Sequence, residues 1–588
     1  MNDEPKGNPR RALVMALALL ATTAAVYANA VPNGYVWDDR YQVRDNDANL
    51  RWRAIPRLFR LDVGRSSTPQ YSANAYRPLV FVSFTVDRQL FGARPWAFHL
   101  TNVVLHLIVV LLGFLLARRL LGNDWLALIL AAFIALHPGQ NEAVGWISGR
   151  HDLLPALFGL LALFAHTSER WFLRLCLVPL LLLAALFSKE SAIALPFLLV
   201  ALDALFYRQR LREPRAYAVY VGVALALVVY FLLRGASSSR TPTDLLHVSP
   251  VEHWRHYVTI VSKLGYIFIY PLIANPCRIY QVFPSWAVAT ATVLIVTAFT
   301  LVALAFRRTH DARWRAVIFG LIWYFATVIP LTLAVPSTEL IGERYLYFPS
   351  IGLALLAAVG LESLARLILR HFSPVAARAM VATVATMLIG IYAALVVQRN
   401  PDWNNDRALF ESVEAQDPFN PVASAHRGFY ALTVEKSPTG AIFWFQRVFY
   451  AYKIPRYTRP RTLNYMTAAF LQLRRLDRAI RVGREAVNES PGNAKNQFNL
   501  GLAYMLRSRR STTRVVDLRL SEKHLRRALT IDGDYLRARA TLGMVLHAQK
   551  RYVDALAMLE PLLTVQPEIP GVRRAVRTLR QKVLQPKR

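Results

Sequence analysis

Two adjacent carboxylates, Asp38 and Asp39, follow Trp37 just beyond the first long apolar run, and Asp45 and Asp47 come soon after. A carboxylate at a membrane surface can take a proton from a hydroxyl or ligate a cation, and it can equally cap the next helix. Cations collect at the ends of other apolar runs: Arg77 in Tyr76-Arg77-Pro78, Arg150 in Gly149-Arg150-His151-Asp152, Lys189 before Glu190, and Arg344 between Glu343 and Tyr345. A guanidinium grips phosphate with two parallel N–H donors, so Arg344 at an outer membrane face suits an anionic lipid. A proton acceptor beside phosphate-binding cations is the set that transfer from a lipid phosphate to a hydroxyl requires.

His99, Asn102 and His106 stand at i, i+3 and i+7, on one face of a helix, where packing is their first reading and a site role for His99 the second. The loop from His137-Pro138 through Glu142 and Trp146 to Asp152 concentrates charges of both signs at a helix end. No cofactor is fixed by these motifs, and a divalent metal, if one is used, falls on Asp38 and Asp39. Only two cysteines occur, Cys176 and Cys277, which excludes a disulfide framework and a cysteine metal site. Zinc-type spacing and RNA-recognition signatures are absent, so nucleic acid is not an expected partner.

The elements that position these residues are membrane helices. Of 588 residues, 54% are hydrophobic, and apolar runs long enough to cross roughly 30 Å of hydrocarbon recur from Leu13 to Val397 and then stop. Spans are expected near 12–31, 97–119, 125–138, 152–168, 171–187, 190–207, 216–234, 285–306, 315–335, 346–366 and 379–397, about eleven crossings. Lys6, Arg10 and Arg11 place the N-terminus in the cytoplasm, and the clusters at Arg118-Arg119, Arg208 to Arg215, Arg307 to Arg315 and Arg366 to Arg378 mark further inside turns. The run 12–31 is long enough to be an uncleaved first helix. An odd count leaves the loop 32–96 and the C-terminus outside. Glu252 to Ile273 contains Arg255, His256 and Lys263 and is assigned to the outer interface or a re-entrant element. The formal charge of +33, from 70 Lys and Arg against 37 Asp and Glu, points to membrane lipids or an anionic substrate.

Beyond about Asn404 the pattern becomes paired amphipathic helices with small residues at their crossings, as tetratricopeptide repeats of about 34 residues require. One unit reads from Leu542-Gly543, Tyr552, Ala555 and Pro567; another from Leu500-Gly501, Tyr504 and Ala528, with extra residues around Arg507 to Arg519; a third from Ala468, Leu476, Ala479, Ala486 and Pro491. The chain is therefore expected to be all-α: a polytopic helix bundle over residues 1–400, then a repeat α-solenoid over 401–588 whose concave surface takes an extended peptide or protein.

In order, Trp37-Asp38-Asp39, Tyr76-Arg77-Pro78-Leu79, Phe98-His99-Leu100 to His106, His137-Pro138 with Glu142-Ala143-Val144, Gly149-Arg150-His151-Asp152-Leu153-Leu154, Lys189-Glu190 and Arg344-Tyr345-Leu346-Tyr347-Phe348-Pro349-Ser350 form a series, continued by Arg399, Trp403 and Leu409-Phe410. The series resembles the transmembrane and tetratricopeptide-repeat O-mannosyltransferases. That resemblance implies the GT-C class of glycosyltransferases, a polyprenyl-phosphate sugar donor and inversion at the anomeric carbon, in a class whose members differ on metal use. It also implies that Asp38 or Asp39 is the catalytic base. Within it, Arg344 would neutralise the leaving phosphate, Arg77, Arg150 and Lys189 would help hold it, and Trp37 would stack on the sugar. His99, His137, Glu142, Asp152, Glu190 and Tyr345 complete the expected substrate-binding set. The short repeat array, basic chain and small loops favour a bacterial inner membrane, with the repeats in the periplasm presenting an acceptor protein. Transfer to a lipid or surface glycan, and an inert membrane-anchored scaffold, are the alternatives.

Overall fold

The structure, a computed structural model, describes residues 8–67, 75–237, 249–272, 275–309, 312–369, 374–509, 512–565 and 572–584. Lys6 of the N-terminal anchor, Ile273 at the end of the interfacial segment, Arg370 within a basic cluster and Pro567 of the last repeat lie outside the described residues. Among the described residues the regular structure is helical, apart from an isolated antiparallel bridge between Ile279 and Leu340. The chain forms two compact units, Met1–Gln416 and Asp417–Arg588. Residues 401–416, expected with the repeats, thus fall in the first unit.

Among the described residues, eight helices of the first unit are long and apolar enough to cross a membrane: Pro9–Ala30, Pro95–Leu121, Ile147–His166, Trp171–Ser188, Pro214–Ala236, Ser285–Arg307, Ser350–Ile368 and Thr383–Trp403. The chain is an integral membrane protein. The remaining expected spans are helical but shorter: Asp124–Leu136, Leu195–Phe206 and Ala312–Val328. Local chemistry explains the shortening. Asn123 caps the N–H groups of Trp125 and Leu126, and Pro138 cannot continue that helix. A 3-10 turn, Glu190–Ala194, takes up the start of the next, and Pro330 lies just beyond Val328 in the third. The Pro250–Ile269 helix, capped by Ser249 on the Glu252 N–H, is not among the eight.

Pro95 opens the longest span and Gly122, at φ 64°, closes it in the left-handed conformation that glycine adopts without steric cost. Ile147–His166 is the central helix, 83% buried over its apolar window, whereas Ser285–Arg307 is 6% buried and peripheral. Both ends of the central helix carry polar residues, and the Arg150 end is where the candidate site assembles.

The second unit consists of helix pairs: Pro421–Thr433 with Pro438–Val448, Thr458–Gln472 with Leu476–Glu489, Ala494–Arg507 with Arg514–Ile531, and Leu536–Ala548 with Tyr552–Leu559, then Val572–Leu584. Gly428, Gly501 and Gly543 hold equivalent places, facing Phe445, Leu525 and Leu559 where the two helices of a pair cross. The first pair, Pro421–Val448, adds a unit to the three legible in the sequence.

Candidate active site

Trp37 is held at φ 55°, a left-handed conformation rare for a bulky side chain and costing of order 1–3 kcal/mol. Its surroundings enforce it. The Trp37 N–H donates to Asp406 Oδ1 at 2.8 Å, and Arg40 pairs with Asp406 Oδ2 at 2.7 Å. The indole stacks on Trp146 at 5.4 Å, with the edge of Phe410 at 6.1 Å, and Trp146 stacks in turn on Trp403 at 5.7 Å. Just upstream, the Gly34 N–H donates to the Asn404 carbonyl at 2.9 Å, and a Cβ on Gly34 would sit 2.7 Å from that oxygen. The loop after the first membrane helix is therefore clamped onto the segment 400–410.

The turn at Trp37 gives its two acids different surroundings. Asp39 is fully buried: Oδ1 accepts from the Ser148 N–H at 2.9 Å and the Ser148 hydroxyl at 2.6 Å, and Oδ2 accepts from the Val36 N–H at 3.1 Å. Burial pushes its pKa up to about 8, against the pull of the Ser148 and Val36 hydrogen bonds and with a further push from the charge of Asp38. Asp38 is half-buried. It shares an electrostatic neighbourhood with Glu142 and Arg344: burial and Glu142 push the enclosed Cys277 thiol up, Arg344 pulls it down, and Asp38 pushes it up again.

Three cation–carboxylate pairs border this region. Arg344 pairs with Glu142, whose other oxygen accepts the Arg344 N–H at 2.9 Å. A Cβ on Gly342 would lie 2.5 Å from the Arg344 guanidinium and 2.9 Å from Glu142, so glycine is needed beneath the pair. Burial lowers the basicity of Arg344, but Glu142 more than restores it; burial leaves Glu142 above the usual carboxylate range despite Arg344. Lys189 pairs with Asp152, and Arg77 with Glu190 at 3.0 Å, Glu190 also accepting the Tyr76 N–H at 2.8 Å. Tyr345 links the cations: the Arg344 guanidinium lies 4.8 Å and the Lys189 ammonium 5.1 Å from its ring centroid. The charge of Asp152 also reaches Arg77. Arg344 stands 5.3 Å from the Trp146 ring and 6.0 Å from that of Trp37.

Arg77, Lys189, Arg344, Tyr345 and Trp37 are thus brought together, with Asp38 next to Trp37 in the chain and Glu142, Asp152 and Glu190 as partners of the cations. Other expected substrate contacts lie elsewhere. Arg150 is wholly enclosed and gives its donors to Asp87 at 2.6 Å, Asn102 at 2.8 Å and the Phe98 carbonyl at 2.9 Å, with its guanidinium over Phe84. It fastens the helices behind the site. His99 hydrogen-bonds the Gly34 carbonyl at 3.0 Å. The Gly139 N–H donates to His137 Nδ1 at 3.1 Å, which leaves Nε2 to donate to the Phe268 carbonyl at 2.9 Å, fixing one neutral tautomer. His106 joins Tyr347 at 2.8 Å and the Ala135 carbonyl at 3.1 Å, so the polar face of that helix serves packing.

Ser148, Asp406 and Asp87 carry parts of the site that the sequence did not single out. A serine, an aspartate in the first turn of a helix and an acid just before a helix end have no distinguishing pattern; only their buried partners reveal them. The adjacent acids do not present two open carboxylates to one ion, since both oxygens of Asp39 are engaged. Among the described residues no group of three or more His, Cys, Asp and Glu side chains is arranged to hold a metal.

No family model matches the chain. Protein O-mannosyl-transferase Tmtc1 of Drosophila melanogaster is 36% identical over 29% of this chain and 21% of its own length. Protein O-mannosyl-transferase F38B6.6 of Caenorhabditis elegans is 24% identical over 69% of this chain and 58% of its own. Protein O-mannosyl-transferase TMTC3 of Mus musculus is 23% identical over 92% of this chain and 63% of its own. The chain thus spans less than two thirds of the length of each of these relatives. Among solved structures, a thermophilic TPR protein of Thermus thermophilus matches 28% of this chain and 83% of its own at 19% identity, with a TM-score of 0.24. The resemblance read from the motifs is carried by curated relatives of the TMTC type across much of the chain.

Proposed function

We propose, from this likeness and from the gathering of Arg344 and Lys189 about Tyr345 with Trp37 against Arg344, that the protein is a membrane glycosyltransferase modifying protein hydroxyls. The observation that carries the reading is the difference between the adjacent acids: Asp39 is enclosed and engaged by Ser148 and Val36, while Asp38 is half-buried and its charge, like those of Glu142 and Arg344, reaches Cys277.

A polyprenyl-phosphate sugar would bind with its phosphate on Arg344, supported by Lys189 and Arg77, and its sugar against Trp37. Asp38 would take the proton of an acceptor hydroxyl as that oxygen attacks the anomeric carbon. The bond from that carbon to the phosphate oxygen breaks, the polyprenyl phosphate leaves with the electron pair, and the anomeric centre inverts. General-base assistance of this kind is worth roughly 10²–10⁴ in rate. The cations act on charge that accumulates on the leaving phosphate, where preorganised donors are most effective. The relatives' names make mannose the first sugar to try. The repeats would present the acceptor polypeptide, with the loop 32–96 and the repeats facing the periplasm of a bacterial inner membrane.

The test is transfer by the purified protein in lipid nanodiscs, supplied with radiolabelled polyprenyl-phosphate mannose and detergent-solubilised membrane proteins. Label in protein supports the reading. Label only in lipid or glycan favours the other enzyme reading, and release from none of several polyprenyl-phosphate sugars, with binding intact, favours an inert scaffold.

A further inference from the structure

We infer that Asp406 is a positioning residue for the catalytic base Asp38, acting through the backbone of Trp37; this rests on the assignment of Asp38 above. Asp406 belongs to the Asp406–Gln416 helix, the last element of the first unit before the chain enters the repeats. It is nine-tenths buried, and its two oxygens reach the loop differently: Oδ1 accepts the Trp37 N–H at 2.8 Å, and Oδ2 pairs with Arg40 at 2.7 Å. These contacts fall immediately before and shortly after Asp38 in the chain.

Their effect is on geometry. Trp37 sits at φ 55°, a conformation that a bulky residue keeps only where its surroundings over-determine it. The hydrogen bond to Asp406 fixes the peptide entering Trp37, and the contacts with Trp146 and Phe410 fix its ring. The peptide that leaves Trp37 sets the direction of Asp38. Without the Asp406 carboxylate, Trp37 loses an acceptor for its N–H and Arg40 loses its counter-charge, so the turn can relax toward an ordinary backbone conformation. Asp38 then moves relative to Arg344, and a displacement of about 1 Å in a reacting group can cost about 100-fold in rate. No contact of Asp406 with substrate is implied.

The experiment is a cycle of four full-length proteins in nanodiscs: wild type, Asp406→Ala, Asp38→Asn and the double variant, with Asp406→Asn as a fifth that keeps an oxygen for the Trp37 N–H. Kinetics are measured against donor and acceptor, and melting temperature is followed by intrinsic fluorescence. Asp406→Ala is expected to lower kcat about 10- to 100-fold with KM for both substrates within about twofold, and Asp406→Asn to recover much of that loss. In the Asp38→Asn background the Asp406→Ala change is expected to cost less than about twofold, because the group it positions is gone. Equal losses in both backgrounds, or a loss confined to KM or tracking melting temperature alone, would overturn the inference. Full activity of Asp38→Asn by itself would instead overturn the assignment of the base, so the two failures are distinguishable.

Discussion

The Ser148 N–H and hydroxyl both donate to one oxygen of Asp39, at 2.9 and 2.6 Å. These bonds tie the loop that follows the first membrane helix to the turn that opens the central helix. Burial of Asp39 there, which outweighs the opposing pull of the Ser148 bonds, couples its protonation to folding.

Asp39 has a folded pKa of about 8, against about 3.9 for an unperturbed aspartate. The folded state therefore binds the proton more tightly between these values, and stability falls as pH rises through them. Stability associated with Asp39 is fully present below about pH 4 and lost by the time pH passes about 8. The melting temperature of the wild type in nanodiscs should decline over that window, and Asp39→Asn should flatten the decline while retaining the Ser148 contacts. An unchanged slope would show that Asp39 titrates as in the unfolded chain.

Arg344 and Glu142 form a pair with little exposure, so removing one partner leaves a charge without its counter-ion. Arg344→Ala should destabilise the first unit by about 3–5 kcal/mol, and adding Glu142→Gln should return a large part of that. Activity should not return with stability, because the leaving phosphate still lacks its cation. Thermal melting and donor turnover of the single and double variants separate the two effects; recovery of both together would make Arg344 a structural residue only.

Gly34 is a point of close backbone approach between the loop after the first membrane helix and the segment 400–410. A methyl group there would stand 2.7 Å from the Asn404 carbonyl oxygen, and the hydrogen bond from Gly34 to that oxygen would have to lengthen. Gly34→Ala should therefore lower kcat about tenfold or more and increase proteolytic cleavage within 32–67 without changing the oligomeric state or membrane insertion. Gly92→Ala in the same segment between membrane helices is the contrast. Its φ of 71° makes alanine strained, but no atom lies within reach of the new Cβ. It should cost stability while sparing turnover.

Arg77, Lys189 and Arg344 were legible because a basic residue at the end of an apolar run needs an anionic partner or ligand. The different surroundings of Asp38 and Asp39 were not, because side-chain direction after Trp37 depends on a backbone angle supported by Asp406, far along the chain. Arg150 sits in the same motif as Asp152 yet serves packing, since its counter-charge Asp87 comes from a helix that precedes it by more than fifty residues. Hydropathy located every expected span as a helix but could not register how Pro138 and Pro330 shorten two of them. The first repeat pair, Pro421–Val448, lacked the Leu-Gly and tyrosine markers of its neighbours, though Gly428 against Phe445 performs the same packing.

The most direct test of the account is the glycosylation of membrane-fraction and secreted proteins, by mass spectrometry, in cells whose only copy of this protein is wild type, Asp38→Asn or Asp39→Asn, with equal membrane expression verified. The account predicts that Asp38→Asn abolishes a defined hexose on one or more proteins, while Asp39→Asn retains at least about a tenth of it, as a residue that supports the loop without taking the proton. Unaltered protein glycosylation in Asp38→Asn, beside a clear loss in Asp39→Asn, would contradict the assignment of Asp38 as the base.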